Sequence, residues 1–140
     1  MHRVHRALRA FFWAAAFAAG STAATRSVWD GVYTREQAAR GQAVYRQECA
    51  KCHGENLAGG ENSPPLVGSE FLHNWNGKTA GALYELTRKT MPSDDPGSLS
   101  TRQYADLVAY LFGANDFPPG DKELARDAAA LNEIRIEPKP

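Results

Sequence analysis

Two cysteines and a histidine fall within one pentapeptide, Cys49-Ala50-Lys51-Cys52-His53, and the 140-residue chain has no other cysteine. On a helical turn, positions i and i+3 share a face. Two thiols so placed can reach the two vinyl groups along one porphyrin edge, and C-x-x-C-H is the attachment signature of c-type haem. His53 directly follows the second anchor, which puts its imidazole in place as proximal iron ligand. Covalent tethering then keeps that ligand at high effective concentration. Other chemistries also use close cysteines. A thioredoxin-like pair wants a βαβ context, and helical periodicity precedes this motif instead. A disulfide across so short a loop adds little stability. Zinc needs further ligands, and His73 is the only soft one left in the body of the chain.

An iron held by His53 has one axial position to fill. Met91 is the single methionine besides Met1, lies 38 residues after His53, and is pinned by Pro92. Methionine commonly fills gaps in cores, but a lone thioether at a helix exit is the expected sixth ligand of an electron-transfer haem. His73 is the rival ligand. If the sixth position stays open, the alternative function is a five-coordinate haem enzyme or sensor acting on peroxide or small gases. Asp94 and Asp95 follow Met91; besides forming a turn, they are candidates for steering a basic redox partner.

These groups need helices to hold them. Thr34-Arg35-Glu36-Gln37 has capping-box spacing, with Gln37 reaching back to Thr34, and opens a helix to about Cys49 carrying Ala38, Gln42 and Tyr45. Gly41 costs about 1 kcal/mol in a helix interior, which a close helix crossing would justify. Residues 54–68 are broken by Gly54, Gly59, Gly60, Pro64, Pro65 and Gly68 and read as loop. A second helix is expected from near Thr79 to about Lys89, ended by Met91-Pro92. The third has the strongest pattern: Ser100-Thr101-Arg102-Gln103 caps it, and Tyr104, Leu107, Val108, Leu111 and Phe112 follow at i, i+3, i+4, i+7 spacing. A short helix from Asp121 to Leu131 and an extended end from Ile134 to Pro140 complete the expectation. No strand pattern precedes that end, so the fold class is all-α.

Composition bounds the rest. Lys and Arg total 16 against 16 Asp and Glu, which argues against nucleic-acid binding. Residues 1–24 concentrate Arg3, Arg6 and Arg9 before a short apolar run from Ala10 to Ala19, and then small residues. That order is a secretory signal peptide, cleaved after Ala23 or Ala24, and its apolar run is about half the ~20 residues of a membrane span. Removing its three arginines leaves 13 basic residues against 16 acidic ones, a net charge of −3. A periplasmic protein with no membrane span after cleavage is expected.

The sequence of capped helix, C-x-x-C-H, Gly/Pro loop, middle helix, Met-Pro and a terminal Tyr-Ala-Asp-Leu-Val-Ala-Tyr-Leu helix resembles the class I cytochrome c family. It is most similar to small bacterial monohaem domains found with quinoprotein (PQQ-dependent) dehydrogenases. The resemblance covers residues 34–113 and implies three core helices around one haem c, held by two thioethers from Cys49 and Cys52. It implies a first and last helix crossing where Gly41 and Tyr45 face Leu107 and Tyr110. It also implies that Pro65 offers its carbonyl to the second nitrogen of His53, that Leu66 packs on the haem, and that Trp75 donates to a propionate. The implied role is electron transfer between periplasmic partners such as a quinoprotein dehydrogenase or a terminal oxidase. Residues 25–33 and 114–140 lie outside the pattern and are expected to strap the globule.

Overall fold

The computed structural model describes residues 25–140; the expected signal peptide, residues 1–24, lies outside the described residues. Six helices and one two-stranded ribbon occur among them: β1 (Arg26–Ser27), a 3-10 turn (Val28–Asp30), α1 (Arg35–Glu48), α2 (Ala50–His53), α3 (Gly68–Trp75), α4 (Ala80–Thr90), α5 (Thr101–Ala114), α6 (Ala128–Leu131) and β2 (Ile134–Arg135). No helix among the described residues is long and apolar enough to cross a membrane.

The α1–α5 pair is the frame. Gly41 on α1 lies against the backbone carbonyl of Asp106 and against Tyr110 on α5, so closely that a β-carbon there would overlap Asp106 O. The glycine therefore trades its helix cost for backbone approach. Beside it, Tyr45 and Tyr110 pack with ring centroids 5.3 Å apart. Arg40 grips buried Asp106 with two bonds of 2.9 Å and reaches Glu123 at 2.7 Å, tying both helices to the C-terminal extension. The α5 face that carries Tyr104, Leu107, Val108, Leu111 and Phe112 is buried, as its periodicity predicts.

The caps separate into two kinds. At α5 both halves of the box form: Ser100 Oγ accepts from Gln103 N, and Gln103 Oε1 accepts from Ser100 N. At α1 only Thr34 does its part, accepting from Gln37 N at 3.1 Å. The Gln37 amide turns away and pairs with both backbone groups of Leu124, accepting from its N–H at 2.7 Å and donating to its carbonyl at 3.2 Å. A residue with both main-chain groups so engaged cannot join a helical ladder. The helix expected from Asp121 to Leu131 is accordingly absent at Leu124 and spans only Ala128–Leu131, capped by Asp127.

The two terminal segments strap the globule as a pair. β1 runs parallel to β2, with Arg26 opposite Ile134, and Trp29 Nε1 donates to the carbonyls of Glu137 and Pro138 at 2.9 and 3.0 Å. Gly31, at φ +64°, lets the chain pass directly against Gly120. Tyr33 caps the crossing, its hydroxyl donating to Phe117 O at 2.7 Å. Three elements are not expected from the sequence: the strand at Arg26–Ser27, the 3-10 turn at Val28–Asp30, and α3.

Candidate functional site

A cleft of about 260 Å³ opens between α2, the following loop, α3, α4 and α5. A single buried water occupies roughly 30 Å³, so this is a binding space and not a packing gap. The seven residues expected to hold the haem all line it: Cys49, Cys52, His53, Pro65, Leu66, Trp75 and Met91. Phe71, Leu83, Leu86, Leu107 and Leu111 supply apolar walls. His73, the rival ligand, is exposed on α3 and does not line the cleft.

Each group is placed by a local cause. α1 ends at Cys49, whose amide still bonds Tyr45 O, and the chain restarts as the single turn Ala50–His53. Within that turn the His53 amide bonds Cys49 O at 3.0 Å, so both cysteines and the histidine share one short, hydrogen-bonded segment. The two thiols are not joined to each other: Cys49 is half-buried and Cys52 exposed. Burial pushes the Cys49 thiol up to about 11. A reactive redox dithiol needs a lowered pKa, so the environment opposes the thioredoxin-like reading. Nor does any group of three or more His, Cys, Asp or Glu side chains suited to a metal ion occur among the described residues, which leaves zinc without a donor set.

His53 is buried, and its Nδ1 lies 2.9 Å from the carbonyl of Pro64. A carbonyl only accepts, so Nδ1 carries the proton and Nε2 keeps the lone pair a metal needs. The acceptor is Pro64 and not Pro65 as expected. The loop folds back on itself, with Gly59 N bonding His53 O and Leu66 N bonding Leu57 O, and that path presents the earlier carbonyl. Pro65 instead lines the cleft wall. Tyr45 holds the other end of the turn, its hydroxyl donating to Gly54 O at 2.6 Å; burial pushes that phenol up to about 12, so it keeps its proton.

Across the cleft, α4 is capped by Thr79, whose hydroxyl accepts from Ala82 N, and it ends in extended backbone at Met91. The Met91 amide bonds Thr87 O at 2.8 Å, and its carbonyl accepts from the Tyr104 hydroxyl at 2.7 Å. Trp75, half-buried at the end of α3, lies under Lys78 Nζ at 5.0 Å from its ring. At the rim, Lys51 bonds Asp94 at 2.6 Å, which holds the exposed Asp94 carboxyl below its usual range. Asp94 is therefore compensated locally, and of the two acids named for steering only Asp95 lacks an ion pair among the described residues.

Asn115 and Tyr104 were missed as site residues. Asn115 is buried, donates to Leu66 O and Leu111 O, and accepts from Gly68 N, so it clamps the loop beside Pro64 to the end of α5. Its place just after the apolar pattern that ends at Phe112, where an asparagine can cap a helix, was the available signal.

The donor set fits a haem: two thiols on one turn, an imidazole with one nitrogen already engaged, a thioether on another wall, and apolar side chains between. Comparison with known proteins agrees. The family described as cytochrome c oxidase, cbb3-type, subunit III matches residues 36–111. The chain is similar to a thiosulfate dehydrogenase of Stutzerimonas stutzeri (strain A1501), 32% identical over 83 residues, covering 52% of this chain and 26% of that protein. Its fold is similar to the sulfane dehydrogenase SoxCD of Paracoccus pantotrophus, with TM-score 0.53 and 21% identity over 77% of this chain and 61% of the other. The chain thus spans about a quarter of the curated relative's length.

Proposed function

The chain belongs to this cytochrome c family, all-α and haem-bearing, and from that premise we propose that it is a monohaem electron carrier in which His53 and Met91 would ligate the iron and Cys49 and Cys52 would form the thioethers. One observation carries the reading: His53 and Met91 line the same apolar cleft as both cysteines, with the His53 Nδ1 engaged by Pro64. The bound haem supplies one-electron Fe(II)/Fe(III) chemistry, at a potential raised by a methionine ligand and an apolar pocket.

The residues around it hold and insulate. Pro64 fixes the imidazole tautomer, Tyr45 fixes the turn, and Leu83, Leu107 and Leu111 keep water from the interior. Electrons would pass at the open edge, where Leu86 is 52% exposed and lines the cleft, through a contact of the small area common among redox partners. The partners proposed are a dehydrogenase as donor and a second redox protein or terminal oxidase as acceptor. A quinoprotein dehydrogenase suits the family resemblance; the names of the two similar proteins, thiosulfate dehydrogenase and sulfane dehydrogenase, support a donor acting on a sulfur compound. The basic-then-apolar start supports export to the periplasm with loss of residues 1–24.

The ferric spectrum of the holoprotein tests the ligand set. A low-spin haem with the weak far-red methionine–iron band is expected, and Met91→Ala should abolish that band. A high-spin spectrum in the wild type would favour the five-coordinate enzyme or sensor, and an unchanged Met91→Ala spectrum would refute Met91 as ligand.

A further inference from the structure

We infer that Tyr104 is a positioning residue for the Met91 ligand, holding the thioether segment against α5 through the main chain; this rests on the assignment of Met91 as a ligand above. The Tyr104 ring is buried, and its hydroxyl donates to the Met91 carbonyl at 2.7 Å. The other contact to that carbonyl, from Gly97 N, is 3.5 Å long, beyond the range of a strong amide bond. The loop after Met91 is otherwise closed on itself, with Asp95 N bonding Pro92 O and Ser98 N bonding Asp95 O.

Its one side-chain fastening to the C-x-x-C-H turn is Lys51–Asp94, exposed on both sides, and such pairs contribute little and are screened by salt. Tyr104 is thus the buried fastening. Its geometry is set in turn by α5, which is capped at Ser100 four residues earlier and locked to α1 at Gly41. At the other end of the same helix, Asn115 clamps Leu66 and Gly68 beside Pro64. One helix therefore anchors the segment carrying Met91, through Tyr104, and the loop whose Pro64 carbonyl accepts from His53, through Asn115.

The test uses ferric holoprotein and imidazole, an exogenous ligand that competes with Met91 for the iron. Losing a hydrogen bond of ordinary net strength should make imidazole bind roughly tenfold more tightly to Tyr104→Phe, with a weakened far-red band and a lowered midpoint potential. Tyr84→Phe is the control. Tyr84 is buried beside Tyr104 with ring centroids 6.4 Å apart, but its hydroxyl donates to Arg126 O. It should lose comparable stability and leave imidazole affinity at the wild-type value. Equal affinity in Tyr104→Phe and wild type, or equal tightening in both variants, overturns the inference. Wild-type protein without the far-red band overturns the ligand assignment, and the inference with it; the two failures are separable because the first occurs in a wild type that shows the band.

Discussion

Pro64, not Pro65, meets His53 because two adjacent prolines differ only in which carbonyl the loop turns inward. The sequence carries the identity of each residue but not that path, which depends on Leu57 taking φ +59° and on Leu66 N reaching back to Leu57 O. By contrast Cys49, Cys52 and His53 were legible as a unit, since their spacing is local and one helical turn fixes their relation. The same locality makes a prediction about attachment. Cys49 is half-buried and Cys52 exposed, yet either sulfur alone suffices to tether a porphyrin edge. Single Cys49→Ala and Cys52→Ala variants should therefore keep haem on the chain through denaturing electrophoresis. The double variant should lose it, with haem staining of the gel as the readout. Retention by the double variant would mean that neither cysteine is an attachment point.

At the scale of elements, α1, α4 and α5 were readable because each carries its own cap and apolar spacing. α3 was not: it has eight residues, opens at Gly68 after Val67, and has no side-chain cap. The β1–β2 ribbon joins residues more than a hundred positions apart, so nothing local announces it. Gln37 is the instructive case, since its capping role at Thr34 and its grip on Leu124 compete for one amide, and the tertiary partner wins. The last turn of α4, just before Met91, also depends on local charge. Glu85 pairs with Arg88 at 3.0 Å and Lys89 at 2.9 Å, and hydrogen bonds from Arg88 and then Lys89 lower its carboxyl to about 2. An unfolded Glu titrates near 4.3. The folded pKa is the lower one, so the unfolded chain binds the proton first and this contribution is complete above about 4.3. It is lost as pH falls towards about 2. Glu85→Gln should flatten that part of the stability–pH curve of the holoprotein, measured as denaturation midpoint, and added salt should shrink the difference. A curve identical to wild type would show that these pairs contribute nothing.

Over the whole molecule, the cleft and the straps are separate in sequence: the cleft is lined from Tyr45 to Leu111, and Asn115 is the residue of 114–140 that bonds its wall, through Leu66 O. The extension nevertheless holds the outer face together. Ile134 and Ile136 are buried, at 4% and 0% exposed. The Ile136 amide bonds Lys78 O and its carbonyl accepts from Gly77 N, while Trp29 ends on Glu137 and Pro138. Burying two isoleucines contributes about 3–6 kcal/mol as an upper bound. That is a large share of the roughly 5–15 kcal/mol typical of a domain. Deleting residues 134–140 should therefore lower the melting temperature of the holoprotein by roughly 10–20 °C. Its ferric spectrum and midpoint potential at 20 °C should stay at the wild-type values. Should the truncated chain fail to accumulate, Ile136→Ala removes the same core contact at a cost of about 2–5 kcal/mol and makes the same division. A shifted potential or a lost far-red band in natively folded protein would mean that the straps shape the cleft as well as covering the globule. An unchanged melting temperature would mean that they add no stability.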